Sequence, residues 1–155
     1  MSRVRPEYFF LLLFVIATAT AKGQELAYAP KPGSPERQAI CDGARAFVLA
    51  NYTKAPLPQP IVFKIEHIAV QEPYCNLEAI PLFKDGSYIS PKYMADIAFN
   101  LCLKKQAGGW KVIVDLSRTD VPQGTELQTI RRNFPPDFPV SLLSPTWPKL
   151  LADSF

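Results

Sequence analysis

Prolines limit where regular structure can form in this chain. Two stretches, residues 55–60 and 135–148, are rich in this residue. Proline has no amide hydrogen and clashes with a preceding helical turn, so neither stretch can hold a long helix or a central strand. The long helix and the strands are therefore expected before residue 55 and between residues 61 and 116.

The segment before the first proline-rich stretch predicts one long helix, from Pro35 to about Ala50. Ser34 supplies a hydroxyl at the N-cap position, and proline is favoured at the first helical position that follows. Apolar residues then recur at helical spacing and form one stripe, which comprises Ile40, Ala44, Phe47 and Val48.

The segment after residue 60 alternates between apolar and polar residues, which predicts strands over residues 61–70, 74–83 and 94–105 and a fourth from residue 110. Turns are expected at residues 84–87 and 107–109, where glycine can supply a positive φ. This order predicts an α+β domain over residues 34–122, with one long N-terminal helix packed on a four-stranded antiparallel meander sheet.

In two strands the sequence also predicts which residues share one face of the sheet. Ile61, Phe63 and Ile65 share one face of the first strand; His67 continues that face, and a bulge is expected near Glu66 and His67. In the fourth strand a single apolar face is expected from Trp110, Val112, Val114 and Leu116.

The N-terminus predicts export. Arg3 and Arg5 precede an apolar run at residues 8–17, and small residues at 19 and 21 follow, which together are typical of a cleaved signal peptide over residues 1–21. A membrane anchor is the alternative, but a spanning helix needs roughly 20 apolar residues. We expect a periplasmic or secreted protein, without a membrane anchor after cleavage near Ala21 and with a flexible leader over residues 22–33.

The C-terminal segment, residues 123–155, combines prolines with large apolar side chains. A short helix is expected from about Thr125, and the apolar residues beyond it predict a segment that packs on the domain rather than a free tail. Phe138 and Trp147 belong to this apolar set.

The formal net charge of +3 is too small to indicate binding to nucleic acid or to an anionic membrane. No phosphate-binding loop, dinucleotide fingerprint or nucleophile motif occurs, and the acids are scattered. With one histidine and no Cys-x-x-Cys pair, neither a metal site nor a cofactor is predicted.

Two stretches carry a resemblance to a known group. The sequence Gly33-Ser34-Pro35-Glu36-Arg37, which opens the predicted helix, resembles the start of small exported bacterial proteins without assigned activity. Gly108-Gly109-Trp110-Lys111-Val112, followed by Thr119-Asp120-Val121-Pro122, is similar to the end of the same domain. The resemblance covers about residues 33–122 and implies a cystatin-like or NTF2-like α+β fold, with no catalytic residues.

The chain departs from that group at two positions on neighbouring predicted strands, where it carries Cys75 and Cys102. This paired departure is the reason to expect a disulfide between them, since adjacent strands can bring α-carbons to the roughly 5.5 Å that a disulfide needs. Two buried free thiols are the alternative. Cys41 would then remain as an unpaired residue on the helix, either buried or joined to another chain.

A catalytic role would depend on His67, the one imidazole in the chain. A small hydrolase or isomerase on an NTF2-like cone could use it with Asp115 or Asp96, an alternative that rests on fold analogy. A packed histidine is the simpler interpretation, so no catalytic residues are predicted.

Aromatic residues mark two candidate binding surfaces. A concave pocket between the helix and the sheet would be lined by Phe47, Phe63, Phe99 and Trp110, which are equally the expected core. A second set, near loops, could face a partner: Tyr88, Tyr93, Phe138 and Trp147. Because the chain is small, shows no catalytic constellation and carries an apolar, proline-rich C-terminal segment, we expect an exported non-enzymatic protein that binds another periplasmic or envelope protein, as a protective or inhibitory partner or as an accessory subunit.

Overall fold

The computed structural model describes residues 26–118, 125–145 and 147. The predicted signal peptide and residues 22–25, 119–124, 146 and 148–155 lie outside these ranges. The described elements are the helices α1 (Pro35–Tyr52) and α2 (Thr125–Asn133), a short 3-10 helix (Val140–Leu142), and the strands β1 (Ile61–Gln71), β2 (Tyr74–Phe83), β3 (Phe99–Gln106) and β4 (Gly109–Asp115).

Helix α1 begins as its sequence predicts. The Oγ of Ser34 accepts a hydrogen bond from the backbone N–H of Arg37 at 3.3 Å, and Pro35 occupies the first turn. Ile40, Ala44 and Val48 are fully buried, because their four-residue spacing places them on one face of the helix. That face packs against the sheet.

The four strands form one antiparallel sheet in the order β1-β2-β3-β4, so the predicted helix-on-meander architecture is confirmed. We call the surface that packs on α1 the helix face and the opposite surface the tail face. The third strand starts later than predicted, at Phe99, and Met94 pairs instead with Thr53 in an isolated bridge.

A bulge in β1 keeps its apolar residues on the helix face. Ile65 pairs with Ala79 and the next pair is His67 with Glu78, so one extra residue interrupts the ladder near the predicted position. Ile68 and Val70 therefore face α1 together with Ile65. The prediction for His67 is wrong: the extra residue turns its side chain to the tail face.

A second bulge, in β4, was not predicted. Leu103 pairs with Val112 while the adjacent Cys102 pairs with Val114, which leaves Ile113 as the extra residue. Trp110 and Val112 consequently pack with α1, whereas Val114 and Leu116 pack on the tail face. The expectation of one shared apolar face in this strand is wrong for this reason.

The tail face is covered by the C-terminal segment, which we call the tail (residues 125–145 and 147). It closes a second core in which tail residues pack against the sheet. From the tail come Leu127, Phe134, Phe138, Leu142 and Leu143, and from the sheet and the end of β4 come Tyr74, Cys102, Val114 and Leu116. The sheet is thus sandwiched between α1 and the tail.

Residues 26–33, which we expected to belong to a flexible leader, contact the edge of β1. Tyr28 exchanges two backbone hydrogen bonds with Val70, at 2.9 and 2.7 Å. The carbonyl of Pro30 accepts a further bond from Arg37, at 3.1 Å. An edge strand carries unpaired backbone groups, and this segment satisfies two of them.

The predicted disulfide is wrong. Cys102 pairs with Asn76 rather than with Cys75, and this one-residue offset puts the two thiols on opposite faces of the sheet. Cys75 belongs to the core beneath α1 and Cys102 to the core beneath the tail. All three cysteines are free.

We expect three free thiols in the denatured protein and slow labelling of the native one. Burial raises the pKa of Cys75 and raises that of Cys102 to about 12, so little reactive thiolate forms. Burial also raises the pKa of half-buried Cys41, against the opposing effect of Arg45, and Cys41 should be labelled first. Mass spectrometry after alkylation, with and without denaturant, measures both; a single denatured thiol would contradict the strand register.

Candidate functional site

A row of polar side chains crosses the tail face of the sheet. His67 of β1 pairs with Glu78 of β2, and Glu78 pairs with Asn100 of β3. Asn76 lies two residues from Glu78 on the same strand and is fully buried. Alternation along β2 and β3 places these groups together, because residues two apart point to the same face.

The polar row forms a hydrogen-bonded chain. The Nδ2 of Asn76 donates to the Oδ1 of Asn100 at 2.8 Å, and the Nδ2 of Asn100 donates to the Oε1 of Glu78 at 2.9 Å. The backbone N–H of Asn100 donates to the Oγ of Ser117 at 3.0 Å. Both groups of the Asn100 amide are thereby fixed, and so is the position of the Glu78 carboxylate.

Glu78 faces a cleft of about 300 Å³ at the border of the tail. We call it the polar cleft. Its wall combines polar residues of the sheet with one aromatic residue of the tail, and the residues that matter below are Glu66, Glu78, Ile80, Asn100, Ser117 and Trp147.

An apolar depression of about 180 Å³ adjoins the polar cleft, since both are lined by Ile80 and Ala98. Its other walls include Tyr88 and Ile97, and Asp96 stands among them. Tyr88 is 75% exposed, which is unusual for an aromatic side chain of this size. We call the depression and the cleft together the open groove.

His67 anchors the tail. Its Nε2 lies 2.8 Å from the carbonyl oxygen of Leu142. Because a carbonyl only accepts, this ring nitrogen carries the proton and donates it. The same nitrogen is therefore committed to the tail and does not act as a base in this arrangement.

The structure does not bring His67 and Asp115 together. Asp115 pairs with Leu101, whose side chain is in the core beneath α1, so its carboxylate points to the helix face and accepts from the hydroxyl of Tyr52. His67 is on the tail face. Asp96 lines the apolar depression, and His67 is not among the residues of that wall.

The four aromatic residues predicted to line a pocket under the helix are instead packed. Phe99 and Trp110 are buried in the core beneath α1, where the ring of Phe99 meets Tyr52 edge-on at 4.8 Å. Phe47 and Phe63 pack at the margin of that core, and the guanidinium of Arg45 lies 5.9 Å from the Phe63 ring centroid.

The second aromatic set is divided among three environments. Tyr88 is exposed in the open groove, and Trp147 lines the polar cleft. Phe138 is buried against Tyr74, with ring centroids 5.2 Å apart. Tyr93 is half-buried and packs on Phe83 at 6.2 Å. Only Tyr88 and Trp147 are therefore placed to contact a molecule in the groove.

A hydrogen bond from Tyr74 to Asp137 should make stability depend on acidic pH. The hydroxyl of Tyr74 donates to the carboxylate at 2.7 Å and lowers the pKa of Asp137. A lowered folded-state pKa stabilises the fold above the ordinary carboxyl pKa, near 3.9, and this contribution disappears as the pH falls through the lowered value. Tyr74→Phe should therefore cost stability at neutral pH.

The gap in urea midpoint between the wild type and Tyr74→Phe should narrow below about pH 4. Urea unfolding of both proteins across the acidic range measures this gap. A difference that stays constant with pH would show that the lost hydroxyl acts through packing alone.

Sequence reasoning missed Asn76, Asn100 and Ser117 as site residues. A signal for the first two was present: Asn76 and Glu78 interrupt the apolar residues of β2 at a spacing of two, and so does Asn100 before Cys102 in β3. Polar residues repeated on one face of a central strand indicate a buried polar network.

In the ranges that the structure describes, no three His, Cys, Asp or Glu side chains are grouped so that they could hold a metal ion. None of the described helices has the length and apolar character needed to cross a membrane.

Comparisons with models of known families, with curated proteins and with solved structures find no match to this chain. The resemblance to small exported bacterial proteins, and the cystatin-like or NTF2-like family that it implies, therefore stay predictions.

Proposed function

We propose that this chain is an exported, non-enzymatic binding protein and that a segment of another periplasmic or envelope protein lies in its open groove. The observation that supports this most is the exposed ring of Tyr88 beside a depression whose other walls are apolar apart from Asp96. Exposed aromatic residues next to a concave surface are typical of protein-binding sites.

The groove also has a fixed floor. Ile80 lies within β2, and the Asn76–Asn100–Glu78 chain holds the neighbouring polar groups in place. A preorganised surface loses little conformational entropy on binding, so a short partner segment is enough to bind it. Such a protein would act as a protective or inhibitory partner or as an accessory subunit.

The alternative of a hydrolase or isomerase has no observation in its favour. Its histidine donates to the tail, and Asp115 lies across the sheet from it. We therefore keep the binding function as the proposal.

Site-specific photocrosslinking in the periplasm tests the groove. A photoreactive residue in place of Tyr88 should give one discrete adduct, and the same residue in place of Leu49, which is 41% exposed on α1, is the matched control and should give none. The captured protein, once identified and purified, should bind Tyr88→Ala at least about tenfold more weakly than the wild type and bind Leu49→Ala equally well. Equal adducts at both positions, or unchanged binding by Tyr88→Ala, would contradict the proposal.

Export is tested separately by intact-mass measurement on protein from the periplasmic fraction. We expect a mass that lacks residues 1–21. Full-length protein retained in the cytoplasmic fraction would rule out the proposed compartment while leaving the groove to be tested in vitro.

A further inference from the structure

We propose that the polar cleft binds an arginine side chain of the partner segment and that the adjoining depression binds an apolar side chain of the same segment. This inference rests on the proposed function and adds the chemistry of recognition. It is carried by the charge of the cleft, by its shape and by the continuity of its two parts.

The negative charge of Glu78 is not neutralised by the described part of the chain. Glu66, which also lines the cleft, pairs with Lys64 at 2.8 Å, and the other ion pairs that join two described residues are Arg45–Asp42 and Lys105–Glu72. Among the described residues, the side-chain hydrogen bond to Glu78 comes from the neutral amide of Asn100. A half-buried carboxylate in this state favours a cationic ligand.

The surroundings of Glu78 favour a guanidinium over a compact ammonium group. The Asn100 amide occupies Oε1 and fixes the carboxylate plane, which leaves Oε2 and further lone pairs for a planar fork of donors. Trp147 contributes an aromatic wall, on which a guanidinium stacks well. Ile80 offers apolar surface for the aliphatic stem.

The two parts of the groove are close enough to take neighbouring side chains. Both are lined by Ile80 and Ala98, so the two cavities meet at these two residues. Side chains two positions apart in an extended peptide lie about 7 Å apart on the same side. A segment with an apolar residue near an arginine would therefore fill the depression beside Tyr88 and reach Glu78 together.

A peptide titration followed by ¹⁵N NMR tests this assignment. The probe is N-acetyl-leucyl-seryl-argininamide, and the readouts are the Asn100 side-chain amide, the Trp147 indole N–H and the Ile80 backbone amide. All three should shift in the wild type. The dissociation constant should rise about tenfold to a hundredfold in Glu78→Gln, since a hydrogen bond between charged groups is lost.

The variants distinguish loss of the Glu78 charge from damage to the fold. Glu78→Gln keeps an oxygen that can accept from Asn100, so the network should survive. Glu72→Gln is the matched control, because Glu72 pairs with Lys105 and is not in the groove. It should bind the probe as the wild type does. The same peptide with neutral citrulline in place of arginine should bind as weakly to the wild type as the arginine peptide binds to Glu78→Gln.

Four results would overturn the inference, and each is distinct from failure of the proposed function. Equal binding of the citrulline and arginine peptides, or binding unchanged by Glu78→Gln, would show that the site does not recognise the charge of an arginine side chain. Arginine methyl ester that binds as tightly as the peptide would identify a small cation, not a partner segment, as the ligand. No shift at any readout would also reject the inference, while the Tyr88 crosslink and the binding of Tyr88→Ala would still decide whether the groove takes a protein.

Discussion

Replacing Phe138 with alanine is expected to lower the free energy of unfolding by about 3–5 kcal/mol. The ring is 3% exposed and packs between two other aromatic rings, with centroids 4.7 Å from Phe134 and 5.2 Å from Tyr74. Its removal leaves a cavity in the core beneath the tail and also loses the edge-to-face contact with Tyr74 and the tilted contact with Phe134. Urea unfolding followed by tryptophan fluorescence measures the change.

Tyr88→Ala is the matched control for Phe138→Ala. It removes an aromatic ring of similar size from a site that is 75% exposed, and surface substitutions usually change stability by less than about 0.5 kcal/mol. Similar small losses in the two variants would mean that the tail does not form a core with the sheet in solution, and the tail face would have to be regarded as open.

Replacing Gly43 with alanine should also destabilise the fold, by about 1–3 kcal/mol. Helix propensity alone predicts the opposite sign, since alanine is favoured over glycine by about 1 kcal/mol inside a helix. A β-carbon on Gly43, however, would lie 2.2 Å from the carbonyl oxygen of Trp110 and 2.9 Å from its carbonyl carbon. Both atoms belong to the backbone of β4, so the helix or the strand must move.

Gly108→Ala is the control for Gly43→Ala, because it lies in the β3–β4 turn and no atom is within 4 Å of a β-carbon placed there. It should leave the urea midpoint nearly unchanged. A Gly43→Ala protein that is more stable than the wild type would show that α1 crosses β4 at a greater distance than the structure gives.

The order of elements could be predicted because each depends on local signals. Ser34 and Pro35 start α1 where the sequence indicates, and Gly86 and Gly109 adopt positive φ angles, +85° and +98°, at the two predicted turns. Turn chemistry and helix capping act within a few residues, so they can be read without knowledge of the whole fold.

The face of the sheet to which a side chain points could not be predicted where a bulge interrupts the pairing of two strands. The bulge before His67 and the bulge at Ile113 each shift the alternation by one residue, and neither the size nor the side of such a shift is encoded in the alternation itself. The disulfide prediction failed for a related reason. The two cysteines do lie on neighbouring strands, as predicted, but Cys102 pairs with Asn76, and this register places Cys75 on the opposite face of the sheet.

The candidate site was the least predictable part. Glu78 and Asn100 are unremarkable in the sequence, and they become a site only when β2 and β3 pair and the tail leaves them uncovered. The tail itself was expected to pack on the domain. Which rows of the sheet it would cover depends on contacts between residues far apart in the chain, such as His67 and Leu142.

The cover that the tail provides has a consequence for biosynthesis. The four strands are all complete by residue 115, but residues 134–143, which bury their second face, emerge later from the ribosome. Until those residues arrive, Tyr74, Cys102 and Val114 face water, and the hydrogen bond between His67 and Leu142 closes a loop of the chain 75 residues long. Contacts of such long range form slowly. A nascent chain of this design cannot complete its second core while its strands are being synthesised, and this delay is compatible with the export that we propose.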